Sequence, residues 1–117
     1  MAISEFEIKR CERELKKFLE VRRPPASIRH EIDLSYRIDE HSKSVEICEI
    51  RPEWKNPSEK MEIPIAKSTY IKTQKRWKVM WQRQDLKWHG YEPVPYVKSI
   101  EEFLAIVSED QLGAFFG

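Results

Sequence analysis

The stretch of sequence that decides the fold spans residues 65–83 and reads IAKSTYIKTQKRWKVMWQR. Two strand-like segments, 65–72 and 77–83, flank the polar residues 73–76, which is typical of an antiparallel hairpin. A two-residue and a four-residue connection give the same register. The predicted cross-strand pairs are Lys72 with Trp77, Tyr70 with Val79, Ser68 with Trp81 and Ala66 with Arg83.

This pairing sorts the side chains of the hairpin onto two faces, because neighbouring residues of a strand point in opposite directions. The face predicted to be the core side carries Tyr70, Trp77, Val79 and Trp81. The reverse face is mixed and partly solvated, and it carries Ile65, Lys67, Thr69, Ile71, Lys78, Met80 and Gln82. We therefore expect the two indole rings to be covered and Lys67 and Lys78 to face the solvent.

A first hairpin is predicted upstream, where residues 32–38 alternate between apolar and polar and residues 45–50 follow a polar break. Its register stays open. Either Val45 and Ile47, or Cys48 and Ile50, share a face with Tyr36, and a slip of one residue exchanges them.

Downstream of the second hairpin, residues 88–91 predict a short fifth strand after a turn at Gln84-Asp85. Pro93 and Pro95 are expected to close the sheet there, since proline cannot donate a ladder hydrogen bond.

An amphipathic helix is predicted at each end of the chain. Ser4 and Glu7 have the spacing of a capping box, Ile3 and Ile8 that of a hydrophobic staple, and the helix should run over residues 5–21. Its apolar stripe consists of Ile8, Cys11, Leu15, Phe18 and Leu19. A second capping box, Ser99 and Glu102, precedes an apolar stripe of Ile100, Phe103, Leu104 and Val107.

These elements predict an α+β fold: a four- to five-stranded antiparallel sheet with an N-terminal and a C-terminal helix packed on one face. No repeat or long linker divides the chain, so residues 1–117 should form a single domain.

Composition narrows the environment of the chain. Its N-terminus has no apolar segment typical of a signal peptide, and no uncharged run approaches the length that spans a bilayer. Cys11 and Cys48 stand 37 positions apart, without the spacing of a disulfide scaffold or a zinc site. We expect a cytoplasmic protein, outside the membrane, whose cysteines are buried and unreactive.

A series of short motifs runs through most of the chain from about residue 22 onward. They are Arg22-Arg23-Pro24-Pro25, Tyr36-Arg37-Ile38, Arg51-Pro52-Glu53-Trp54, Asn56-Pro57-Ser58-Glu59, Ala66-Lys67-Ser68-Thr69-Tyr70, Trp77-Lys78-Val79, Asp85-Leu86-Lys87-Trp88-His89, Tyr91-Glu92-Pro93 and Gly113-Ala114-Phe115-Phe116-Gly117. In these motifs the chain resembles a family of small bacterial proteins called domain of unknown function 3024. The resemblance implies no particular activity, substrate or site.

The charge of the chain is unevenly distributed. Residues 64–98 hold eight basic and two acidic residues, whereas the whole chain has a net charge of only +1. Cations bind phosphates, and aromatic rings stack on unpaired bases, so this segment suggests a nucleic-acid-binding surface. The candidate residues are Lys67, Lys72, Lys75, Arg76 and Lys78. Two observations oppose this interpretation: the tryptophans of the hairpin are predicted to be buried, and the acidic remainder could neutralise the cations.

A protein interface is the second binding hypothesis. Trp54, in a proline-containing loop, and the terminal Phe115 and Phe116 are apolar groups that could anchor a partner or cap the edges of the core. The chain could act as a monomer or a homodimer.

The alternative from another class is a small metal-dependent nuclease. Glu49-Ile50-Arg51, after Asp33 and Glu46, loosely resembles a carboxylate-x-basic arrangement that holds Mg²⁺. Alternating charges on an exposed strand explain the same residues more simply. Asp85, Lys87 and His89 could perform acid–base chemistry or anchor a turn. The scattered His30, His41 and His89 predict no metal site, and no cofactor is expected. A non-catalytic binding domain is therefore the leading prediction.

Overall fold

A computed structural model describes residues 5–83 and 85–110. In chain order the elements are α1 (Glu5–Arg22), a 3₁₀ turn (Ala26–Ile28), β1 (Asp33–Asp39), β2 (Ser44–Pro52), β3 (Lys60–Ile71), β4 (Arg76–Gln82), β5 (Trp88–Gly90), β6 (Tyr96–Val97) and α2 (Ile100–Glu109). The strands form one antiparallel sheet in the order β1-β2-β3-β4-β5, with β6 also paired to β4. The predicted fold class is confirmed. Neither helix of the described residues is long and apolar enough to cross a bilayer.

The core lies between the two helices and one face of the sheet, which we call the inner face. Cys11, Leu15 and Phe18 of α1 and the four buried residues of α2 pack there against the sheet. Trp77 and Val79 are 1% and 0% exposed, so the predicted core side of the second hairpin is confirmed. The sheet residues of this core are Val45, Ile47, Ile65, Ala66, Trp77, Val79 and Val97, with Tyr70 and Trp81 partly buried against them.

The register of the second hairpin differs from the predicted one by two residues. Tyr70 lies opposite Trp77, Ser68 opposite Val79 and Ala66 opposite Trp81. The turn consists of residues 72–75, not 73–76, because Lys75 adopts a left-handed conformation with φ 50° and closes the chain one residue earlier. A shift of two residues preserves the faces, so only the predicted partners were wrong.

Ile65, which was predicted to lie on the reverse face, faces the core instead. The pairing of β2 with β3 shifts between Ile47 and Cys48, whose partners are Ala66 and Pro64. Ile65 is therefore the extra residue of a β-bulge. The bulge turns its side chain into the core, where it is 9% exposed.

The structure settles the register of the first hairpin. Tyr36 lies opposite Ile47 and Ile38 opposite Val45, so Val45 and Ile47 are the residues that share a face with Tyr36. Cys48 lies opposite Ser35, on the other face.

The sheet continues beyond the prolines that were expected to close it. The predicted fifth strand is present as β5, and β6 adds a sixth strand at Trp77 and Lys78. Val79 of β4 binds the segment that joins β5 to β6. Its carbonyl accepts from the N–H of Tyr91, and its N–H donates to the carbonyl of Pro95. Proline closes a sheet only where its missing N–H is needed, and here its carbonyl is used.

The Ser99 half of the second capping box is confirmed, whereas the Glu102 carboxylate bonds one residue before the cap. The Ser99 hydroxyl accepts from the N–H of Glu102, and the Glu102 carboxylate accepts from the N–H of Lys98. The four residues predicted for the apolar stripe of α2 are buried. Ile3 and Ser4 of the first staple and capping box lie outside the described residues.

The end of α1 is tied to the start of β1 by a two-pronged ion pair. Arg23 donates from Nε and an Nη atom to both carboxylate oxygens of Asp33, each over 2.8 Å. These hydrogen bonds, with one from the N–H of Leu34, hold the pKa of Asp33 at about 2, below its ordinary 3.8.

The lowered pKa of Asp33 predicts a pH dependence. The folded state gains stability from this carboxylate above pH 3.8, and the gain disappears as the pH falls towards 2. We expect Asp33→Asn to lower the melting temperature at pH 6 and to have a shrinking effect as the pH falls below 4. Thermal denaturation at several pH values measures this, and a constant difference from pH 6 to pH 2 would contradict it.

Candidate nucleic-acid interface

The sheet face opposite the helices, the outer face, collects cations and aromatic rings along β4. Residues directly opposite one another share a face, so the pairs Lys67–Met80, Lys78–Tyr96 and Gln82–Trp88 lie together on it. Arg76 precedes the inward-facing Trp77 and also points outward. We call Lys67, Arg76, Lys78, Trp88 and Tyr96 the outer patch.

Two cation–aromatic contacts organise the outer patch. The guanidinium carbon of Arg76 lies 3.6 Å from the centre of the Tyr96 ring, which is a stacked arrangement. Arg76 is fixed further because its Nε donates to Gln74 Oε1 over 2.6 Å. Lys67 reaches across β4 and places Nζ 5.7 Å from the centre of the Trp88 ring. Both rings and both cations keep part of their surface open to solvent.

Among the acidic residues, Glu46 of β2 lies directly opposite Lys67 on the outer face, without forming an ion pair with it. In residues 5–83 and 85–110, no ion pair involves Lys67, Arg76 or Lys78. Several acidic residues elsewhere pair with their own local cations, for example Asp33 with Arg23, Glu62 with Arg37 and Glu101 with Arg10. Arg76 lies opposite Ile71, and Lys78 lies opposite Thr69 and Tyr96, so the positive charge of these two residues stays available on the outer face.

The remaining candidate cations lie at the tip of the second hairpin. Lys72 and Lys75 are exposed in the turn 72–75, next to the end of β4 that carries Arg76. The structure thus brings three of the five predicted cations onto one face and places the other two at its border.

Comparison with known proteins gives a family and no activity. The family model described as Domain of unknown function (DUF3024) matches residues 3–117. The chain belongs to this family. No curated protein and no solved structure matches it.

Sequence reasoning missed the aromatic half of the outer patch of this DUF3024 protein. It considered Trp77 and Trp81, which lie on the inner face, and overlooked Trp88 and Tyr96. The sequence did contain a signal for Trp88. Trp88 and His89 are neighbours in the chain, so one of them had to face outward once residues 88–91 formed a strand. Tyr96 had no such signal, because β6 was not predicted.

The carboxylates proposed for a nuclease site do not converge in the DUF3024 chain. Glu46 and Glu49 are three positions apart on β2 and therefore project from opposite faces. Glu49 is buried and accepts from Arg51 Nε over 2.7 Å, while Asp33 is held by Arg23. The described residues contain no group of three or more His, Cys, Asp and Glu that could hold a metal ion.

The polar cluster of Asp85, Lys87 and His89 anchors a turn. Asp85 accepts from the N–H of Lys87 and lies 2.9 Å from Nε2 of His89. Both interactions lower the pKa of Asp85 below its ordinary value. The carboxylate is thereby committed to the turn that positions β5, including Trp88.

The two cysteines of the DUF3024 protein are buried, as predicted. Burial raises the pKa of the Cys11 thiol and of the Cys48 thiol to about 11, so both stay protonated near neutral pH. A protonated thiol is a poor nucleophile.

Of the predicted interface residues, Trp54 is 82% exposed and caps no part of the core. Lys55 Nζ lies 5.3 Å from the centre of its ring. Phe115 and Phe116 lie outside the described residues.

Proposed function

We propose that this protein is a non-catalytic nucleic-acid-binding domain that uses the outer face of its sheet. The supporting observation is the outer patch itself: three cations that form no ion pair within the described residues, beside two partly open aromatic rings, on a face that neither helix covers. Phosphates attract such cations through Coulomb interaction and release of bound counterions.

The arrangement of charge answers the objection that the acidic residues neutralise the basic segment. Overall charge is nearly balanced, yet several carboxylates of α1, β1 and β3, such as those of Glu5, Asp33 and Glu62, form ion pairs with cations of their own surroundings. A protein with a sequence pI of about 7.8 can therefore present a locally positive surface.

A protein partner for Trp54 is the second candidate, favoured by the high exposure of that ring. We rank it lower because a single exposed indole provides neither a pocket nor complementary charge. A cytoplasmic location is part of the main proposal, and the free, buried Cys11 and Cys48 support it.

A salt titration tests the proposed function. We expect the unmodified protein to bind short oligonucleotides at low salt, with an affinity that falls as the salt concentration rises. Lys78→Ala should reduce the slope of log K against log salt by roughly 0.7 for a single strand, because one phosphate contact is lost. Fluorescence anisotropy of a labelled oligonucleotide measures both quantities.

Lys60→Ala is the matched control for this experiment. It removes one positive charge from an exposed lysine of β3 that lies roughly 20 Å along the strand from Lys67. It should leave the slope unchanged. No binding at low salt, or equal effects of the two substitutions, would contradict the proposed function.

A further inference from the structure

We propose that the outer patch binds single strands in preference to duplexes, with one unpaired base on the Trp88 ring and another on the stacked Arg76–Tyr96 pair. This inference rests on the proposed function and specifies its substrate class. It follows from the aromatic groups of the outer patch and not from its charge, which attracts single and double strands alike.

Two planar groups of the outer patch can receive a base: the ring of Trp88 and the guanidinium of Arg76, which covers the ring of Tyr96. Trp88 and Tyr96 belong to different strands, β5 and β6, and both lie along the same edge of β4. Bases of a duplex are stacked on each other and cannot offer their faces to a sheet. Unpaired bases can stack on aromatic rings or on an arginine plane, in a manner that tolerates any sequence.

Arg76 supplies one of these planar groups. Its guanidinium covers the Tyr96 ring at 3.6 Å and is fixed by Gln74, so its other face is the surface offered to a ligand. A guanidinium plane in this position can stack on a base and attract the neighbouring phosphate at the same time.

The two stacking positions lie a fixed distance apart along β4. Trp88 lies opposite Gln82 and Tyr96 opposite Lys78, so four residues of β4, roughly 13 Å, separate them. Gly90 lies midway, opposite Met80, and a Cβ added to it would meet nothing within 4 Å. The space next to Gly90, midway between the rings, is therefore open, and the exposed Lys78 lies opposite Tyr96 as a phosphate contact.

The geometry defines the ligand as a short stretch of single-stranded nucleic acid that runs along β4. The backbone phosphates would lie near Lys67 and Lys78, and the bases would point down onto the rings. DNA and RNA share this chemistry, so the test includes both.

The test compares a labelled eight-nucleotide single strand with a duplex of the same length, in DNA and in RNA, by fluorescence anisotropy at low salt. We expect at least about fivefold tighter binding of the single strand. Trp88→Leu and Tyr96→Leu should each weaken single-strand binding at least about fivefold and leave duplex binding unchanged. Trp88→Phe, which keeps a ring, should retain most of the affinity.

Gly90→Glu provides a variant that does not depend on removing a packed ring. The added side chain enters open space on the outer face, so the fold should be kept, while its bulk and charge obstruct the path between the rings. We expect it to weaken single-strand binding at least tenfold. Trp54→Leu is the matched control for loss of an exposed indole and should have no effect.

The outcomes separate this inference from the proposed function. Equal affinity for single strands and duplexes, unchanged in Trp88→Leu and Tyr96→Leu, would overturn the stacking mechanism and leave nucleic-acid binding intact. Absence of binding to every oligonucleotide at low salt would overturn both. Weakening by the ring substitutions with intact melting temperatures, together with the effect of Gly90→Glu, would support stacking.

Discussion

Trp77→Ala is expected to lower the free energy of unfolding by about 3–5 kcal/mol. The Trp77 side chain is 1% exposed and is the largest fully buried side chain of the described residues. Its ring lies 5.3 Å from that of Tyr70, and its strand joins β3 to β6. Removing it leaves a cavity between the sheet and the helices. Urea denaturation followed by circular dichroism measures the loss.

Trp54→Ala is the control for this experiment, since it makes the same chemical change at a ring that is 82% exposed. Its effect should stay within about 0.5 kcal/mol. If Trp77→Ala were no more destabilising than Trp54→Ala, the assignment of the inner face would be wrong, and the outer patch with it.

The double substitution Lys67→Glu and Lys78→Glu is expected to weaken nucleic-acid binding about a hundredfold or more at about 50 mM salt. Each lost phosphate contact costs close to tenfold at that concentration, and the two new carboxylates add repulsion. Both lysines lie on the outer face, but Lys67 lies directly opposite Glu46, so Lys67→Glu places two carboxylates across from each other and should lower the melting temperature. Anisotropy titration gives the affinity, and a thermal melt confirms that the variant is folded.

Lys55→Glu with Lys60→Glu changes the net charge by the same amount at the far end of the β2–β3 hairpin. Both lysines are exposed there. This control should lose far less affinity, because screening limits the effect of distant charges to about one Debye length. Equal losses in the two double variants would show that net charge, and not the outer patch, drives binding.

The sequence predicts those parts of the fold that depend on local patterns. The alternation around Trp77 and Val79 identifies the core side of the hairpin, because a strand that is buried on one face must alternate. The Ser99–Glu102 spacing predicts where α2 begins, because a capping box satisfies backbone N–H groups within one turn. Neither prediction requires knowledge of distant residues.

The errors concern features set by backbone geometry. The left-handed Lys75 moves the turn by one residue, and lysine carries no signal for that conformation. The bulge at Ile65 depends on how β2 and β3 fit together, which is a property of both strands. β6 is two residues long, too short for any periodicity to reveal.

The candidate site likewise has one part that the sequence predicts and one part that it does not. Its cations were predicted because charge can be counted along the chain, whereas the outward orientation of Trp88 depends on the pairing of β5 with β4. That pairing is set by the turn at residues 85–87, where Leu86 is left-handed with φ 63° and Asp85 accepts from Lys87. The outward position of Tyr96 depends on the pairing of β6 with β4, and β6 was not predicted from the sequence.

The bulge at Ile65 has a consequence for how the molecule opens. From Ala66 to Thr69, β3 pairs with a strand on each side, but residues 60–64 pair only with β2 within the described chain. The amides of this arm that point away from β2 should exchange with deuterium early, whereas those of Ser68 and Val79 should be protected until global unfolding. The domain would then consist of a slowly exchanging body around β4 and a projecting ribbon, tipped by Trp54, that loosens independently.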